Sequence, residues 1–197
     1  MAVLATGVRR AKSETAALLD TFNRVELVYY WKDSRTVQRL GEVSLLAAYT
    51  GVKRDLDKQA YAGVSLEFVY KVAHENEPSD ELFAALTGGL ASLEAWSGPA
   101  HVHGAWQLMR LLSAAGFEPA LEGGSGTVRF DYGSGVTAGP GDVRLDASDA
   151  DALRRMAASA ACPDAALSAG GFLALARFAE RQAESNFRSL RVLAQMY

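Results

Sequence analysis

Three cations occupy four positions close to the start of the chain, in Gly7-Val8-Arg9-Arg10-Ala11-Lys12-Ser13. Arg9, Arg10 and Lys12 can neutralise phosphates, Gly7 allows close main-chain approach, and the Ser13 hydroxyl can donate to a phosphate oxygen. The alternative for such a cluster is solvated surface. A second group lies on two adjacent segments. Arg24, Lys32, Arg35 and Arg39 can extend the same basic surface, or serve as strand-edge charges that discourage aggregation. Between them runs Tyr29-Tyr30-Trp31. On a strand that covers a core, Tyr29 and Trp31 should be buried, leaving Tyr30 on the opposite face to stack on a base. A third group closes the chain: Arg181, Arg188 and Arg191, with Phe187, Leu190 and Leu193 interleaved at a spacing of three. This is a docked amphipathic helix with outward arginines, or a patch for an acidic peptide or for DNA.

Other chemistry finds little support. Gly123-Gly124-Ser125-Gly126-Thr127 has no following lysine and departs from the phosphate-loop pattern, so it reads as a flexible turn. No G-x-S-x-G elbow is present. His101 and His103 stand two apart without a carboxylate at metal-ligand spacing. The lone Cys162 excludes an internal disulfide and a cysteine-based zinc site, and suits a reducing cytoplasm. The reading is therefore a non-enzyme with no cofactor and no metal.

The elements that must position these groups divide the chain of 197 residues in two. Val3-Leu4-Ala5 is strand-like, and 24–32 alternates with a period of two. Lys32-Asp33-Ser34-Arg35 forms a turn, and 36–40 returns as a second strand. From Asp55 the period becomes helical, with Leu56, Ala60, Val64, Phe68 and Val72 on one stripe. Ser79 caps a second helix, and Pro99 precedes a third that stops at Gly116. Residues 122–146 read as a glycine-rich hairpin or loop. Ser148-x-x-Asp151 reads as a capping box for a fourth helix that runs to about Ala161. A further helix begins near Ser168, and a short one spans about 187–196. The expected fold is α+β: a partial OB-fold β-barrel over 1–47, then a mainly α-helical domain over 48–197 carrying the hairpin.

Charge follows this division. Residues 1–54 hold nine Lys/Arg against five Asp/Glu, and residues 55–197 hold eleven against eighteen. A nucleic-acid surface therefore belongs in the N-terminal part. Apolar content of 49% suits a folded protein, and no run of about 18 apolar residues suggests a membrane span.

The order of several motifs resembles the bacterial recombination mediator family RecO. They are G-x-R-R-x-K-S at 7–13, the strand around Val25-Glu26-Leu27, and Pro78-Ser79-Asp80-Glu81-Leu82-Phe83. The leucine-rich helix Leu108–Leu112 ending at Gly116 and the closing Arg188-Ser189-Leu190-Arg191 complete the set. The resemblance implies single- and double-stranded DNA binding, annealing of complementary strands, and work with RecR. It also implies loading of RecA onto DNA coated by single-strand-binding protein, whose acidic tail the helical domain would receive, and a cytoplasmic, nucleoid-associated location. It further implies about forty preceding residues that complete the barrel, and four zinc cysteines in many members, absent here. The competing readings are a helical interaction module without DNA binding, or a small hydrolase or transferase.

Overall fold

The computed structural model describes residues 2–6, 8, 14–122 and 126–195. The alternating N-terminal pattern forms one sheet. Strand β1 (Ala2–Leu4) is followed by the short helix α1 (Glu14–Leu18), then β2 (Asn23–Tyr30) and β3 (Val37–Ala48). The spatial order is β1-β3-β2, with β1 parallel to β3 and β2 antiparallel to it. The returning strand is far longer than 36–40: it stays paired with β2 as far as Ala48, across two register slips. Among the described residues the sheet is open and does not close as a barrel.

That openness corrects an expectation about burial. Tyr29 is 39% exposed and Trp31 57%, so neither sits in a core. Among the described residues no layer covers the part of the apolar face that carries them; Leu27 and Leu45 on the same face are also exposed.

The helical part is built around α5 (Ala100–Ala114). Ten of its fifteen residues are buried, His103 and Gln107 included. It packs against α3 (Leu56–Val72), α4 (Asp80–Ala95), α6 (Ala147–Ala158) and α7 (Ala169–Gln182). Val64 and Phe68 of the α3 stripe are buried as the periodicity requires, but Leu56 at its start is 73% exposed. Ser79 caps α4, accepting from the Leu82 N–H, and Ser168 caps α7, accepting from the Gly171 N–H. Gly116 ends α5 with φ +78°, the left-handed stop expected of a glycine.

Two expectations fail locally. Ser148 does not cap α6: the N-cap position falls on Asp146, whose side chain makes no cap bond, and the helix ends at Ala158 rather than Ala161. The hairpin is a three-stranded sheet, β4 (Val128–Asp131), β5 (Gly135–Thr137) and β6 (Val143–Leu145), with β4 in the middle. Its tight turn is tied by Asp131, whose Oδ1 accepts from the Gly133 and Ser134 N–H groups, each at 2.9 Å. Gly135 has φ +102°, and its Cα faces the Ala120 backbone with no room for a side chain. Phe130 and Leu145 send this sheet's inner face into the core.

Short segments are held by carboxylates from distant helices. Glu67 on α3 accepts from the Arg188 N–H at 2.9 Å, the Ser189 N–H at 2.8 Å and the Ser189 hydroxyl at 2.7 Å, capping α8 (Arg188–Leu193). Burial pushes the Glu67 carboxyl up, but these hydrogen bonds outweigh it, and its pKa lies below the ordinary glutamate value. A lowered folded pKa gives stability that is present above about 4.5 and lost as pH falls through the folded value. Glu67→Ala should therefore lower unfolding stability at pH 7 by about 1–2 kcal/mol, the scale of a lost helix cap. The deficit should shrink below the ordinary glutamate pKa. Urea titrations of both proteins at pH 7 and pH 4 check this; equal stability at pH 7 would remove the cap from the account.

His103 has no exposed surface, and its Nε2 lies 3.0 Å from the Ser92 hydroxyl. Burial, with a smaller contribution from Lys58, pushes its pKa down from 6.5 to about 4. Between those values the unfolded chain binds the proton and the folded one does not, so stability falls as pH drops from 6.5 toward 4. The melting temperature should be level above pH 7 and decline through this window. In His103→Gln the decline should be absent down to the carboxylate range; an unchanged decline would assign it to other groups.

Candidate nucleic-acid interface

The turn between β2 and β3 gathers four of the basic and aromatic residues singled out in the sequence. Tyr30 pairs with Arg39 across the ladder, and Lys32 and Arg35 stand on the connecting turn. Tyr30, Lys32, Arg35 and Arg39, with Leu40 and Gly41, line one depression of about 450 Å³. All four side chains are exposed. The ladder slips between Val28 and Tyr29, so Gly41 bulges without a pairing partner. A Cβ on Gly41 would sit 3.0 Å from Tyr30 Cε2, so the tyrosine ring lies along the bare glycine backbone.

The turn is fixed from within by Gln38, a residue that sequence reasoning missed. Its Oε1 accepts from the Lys32 N–H at 2.9 Å, and its Nε2 donates to Lys32 O at 3.2 Å and Arg35 O at 2.9 Å. Gln38 is only 2% exposed. Arg35 N–H donates to Lys32 O at 3.0 Å, and the Trp31 indole N–H donates to Asp33 at 2.6 Å. A lone glutamine in an alternating strand carries no periodic signal that would announce this role.

Arg24 is not part of the cluster. It lies at the far end of β2, where its guanidinium sits 5.5 Å from the Phe83 ring centre on α4. Arg9, Arg10, Lys12 and Ser13 fall outside the described residues.

The C-terminal group separates into two layers. Phe187, Leu190 and Leu193 are 0%, 2% and 3% exposed, so they belong to the core and offer no open apolar pocket. Arg188 and Arg191 are exposed above them. Arg181 instead lines a groove of about 710 Å³ with Arg177, Glu180, Glu184, Ser185, Asn186 and Tyr132. Glu180, nearly buried, pairs with Arg177 and accepts from the Phe187 N–H at 2.6 Å, so its charge is already satisfied. Arg177 was another residue without a sequence signal.

Among the described residues, no group of three or more His, Cys, Asp or Glu is placed to hold a metal ion. His101 Nε2 lies 2.8 Å from Leu167 O, which assigns it to the α5–α7 junction. Cys162 is half-buried, and burial pushes its thiol up to about 11, so it stays protonated at neutral pH. No helix among the described residues is long and apolar enough to cross a membrane.

Comparison with known proteins completes the picture. The family described as Recombination protein O C terminal matches residues 53–195, which take in α3 to α8 and the second small sheet. The DNA repair protein RecO of Prosthecochloris aestuarii is 30% identical over 122 residues, covering 62% of this chain and 46% of that protein. That of Pelodictyon phaeoclathratiforme is 31% identical over 121 residues, covering 61% and 46%. That of Anaeromyxobacter sp. strain Fw109-5 is 30% identical over 173 residues, covering 78% and 66%. The chain thus spans about half the length of the first two of these relatives. With the α5-centred helical core matched almost end to end, the chain belongs to the RecO family of DNA repair proteins.

Proposed function

We propose that this chain is a DNA-binding recombination mediator with no chemical step of its own. In this reading residues 1–47 form the DNA-binding part and residues 48–197 the helical part that meets protein partners. It binds single- and double-stranded DNA, anneals complementary strands, and acts with RecR to help RecA displace single-strand-binding protein. The observation that carries the reading is the depression shared by Tyr30, Lys32, Arg35 and Arg39 on a sheet joined to a RecO-type helical core. Cations there screen the repulsion between phosphate backbones, so that two strands can approach. Arg9, Arg10 and Lys12 extend this charge in sequence.

Binding to a single-stranded oligonucleotide should weaken with salt at a log–log slope of roughly −0.7 per phosphate neutralised. Replacing Lys32, Arg35 and Arg39 together by Ala should make the slope shallower by about 2; the same applies to Arg9, Arg10 and Lys12. Fluorescence anisotropy across a salt series reads the slope. An unchanged slope in both triple variants would sink the assignment of this surface, and no DNA binding by the unaltered chain would favour the interaction-module reading.

The tail of single-strand-binding protein would dock at the C-terminal corner, where Arg188 and Arg191 are exposed over the buried Phe187, Leu190 and Leu193 and Arg181 lines the groove that includes Ser185 and Asn186. Charge-assisted hydrogen bonds to its carboxylates would supply the affinity. Arg181→Ala and Arg188→Ala should each weaken a labelled tail peptide by about 1–2 kcal/mol, with the melting temperature unchanged. Wild-type affinity in the double variant would remove the corner as the docking point.

A further inference from the structure

We propose that Gln38 and Gly41 preform a seat for one unpaired nucleotide at the β2–β3 turn. The Tyr30 ring is the base platform, and Lys32, Arg35 and Arg39 form the phosphate wall. The inference rests on the DNA-binding reading above and sharpens it: the ligand is a single strand with accessible base faces.

Three observations converge. Tyr30 is 66% exposed although its ring is largely apolar, and it projects from the end of a strand rather than from a mobile loop. One edge of that ring is bedded on the backbone: a Cβ on Gly41 would lie 3.0 Å from Cε2 and 3.5 Å from Cδ2. A side chain at 41 would crowd both the ring and the Val28 carbonyl, 3.1 Å from that Cβ, so the ring would have to shift. The bulge that leaves Gly41 unpaired is what lets the strand pass beneath the ring.

The second observation is Gln38. A buried amide that spends one acceptor and two donor hydrogens on Lys32 and Arg35 backbone groups sets the turn before any ligand arrives. The two cations then lose less conformational freedom on binding, and the affinity gained is larger for a ligand that fits the fixed spacing.

The third is size. The depression, about 450 Å³, lies in the range of small-ligand clefts of about 300–1,000 Å³. It is open to solvent and has room for about one nucleotide. In a duplex the base faces are stacked on one another, so Tyr30 would have nothing to cover.

The test uses the full 197-residue chain and three labelled probes of equal length: a thymidine oligonucleotide, its fully abasic counterpart, and a duplex. The base-bearing strand should bind roughly ten-fold tighter than the abasic one, as expected for base–aromatic stacking. Tyr30→Leu should abolish that preference and leave abasic affinity and its salt slope unchanged. Gly41→Val should do the same by displacing the ring. Gln38→Ala should reduce the preference without lowering the melting temperature of the helical core. Gln38→Glu keeps the size of the side chain, cannot donate to the two carbonyls at neutral pH, and should behave like Gln38→Ala. Tyr30 and Gly41 are surface positions, so their variants decide the matter even if a Gln38 variant unfolds. Equal affinity for the base-bearing and abasic strands, or a Tyr30→Leu protein that keeps the preference, would overturn the seat while the DNA-binding reading stands. A folded Gln38→Ala protein with the full preference would remove the latch. Failure to bind any of the three probes would overturn the DNA-binding reading itself.

Discussion

Backbone N–H groups at the starts of short helices have no partners inside those helices, and this fold satisfies them with carboxylates that arrive from elsewhere in the chain. Glu94 on α4 accepts from the Gly51 and Val52 N–H groups at 2.9 and 3.0 Å, which fixes α2 (Thr50–Arg54) against the helical body. Glu67 does the same for α8. Asp149 on α6 accepts from the Ser168 N–H at 2.7 Å and its hydroxyl at 2.6 Å, placing the start of α7. Glu180 takes the Phe187 N–H. Each contact joins segments that hydrophobic burial alone would leave free to slide, because a greasy surface sets no direction.

The position of the N-terminal sheet follows from one of these contacts. With α2 pinned by Glu94, Tyr49 and Val52 pack on Leu90 and Leu93 of α4 and Ala62 of α3. Lys53, on the same short helix, reaches back to Asp20 at 2.8 Å and to Asn23 at 2.7 Å, at the base of β2. The cation of Arg24 over Phe83 adds a second point of attachment. The sheet is thus held at its base by a few polar links, and its tip, with Tyr30, Lys32 and Arg35, projects away from them.

Helices were easiest to read because their apolar residues repeat and their ends carry recognisable residues: Ser79, Ser168 and Gly116 do what their types suggest. Tyr29 and Trp31 were misjudged because alternation marks two faces without saying that something covers one of them. Ser148 was misjudged because Ala147 was already helical, which moved the cap to Asp146. At the candidate interface, clustered charge in the sequence located Lys32, Arg35 and Arg39, whereas Gln38 and Arg177 act through tertiary geometry that no local pattern encodes. The buried triplet Phe187, Leu190 and Leu193 had the spacing of a helix face, and spacing cannot tell a face turned inward from one turned out.

Burial is distributed very unevenly along this chain. From Asn23 to Ala48, Gln38 alone is buried, whereas α5 is enclosed on nearly every side. Opening the sheet exposes little new apolar surface, so its amide protons exchange through a low-energy local event, while those of α5 wait for global unfolding. The protein therefore carries two stabilities. Local opening of the sheet leaves the helical body intact, while in the closed sheet the Gln38 hydrogen bonds keep the β2–β3 turn set. The exposed aromatic and basic residues of the β2–β3 turn thus sit on the part of the fold that buries the least.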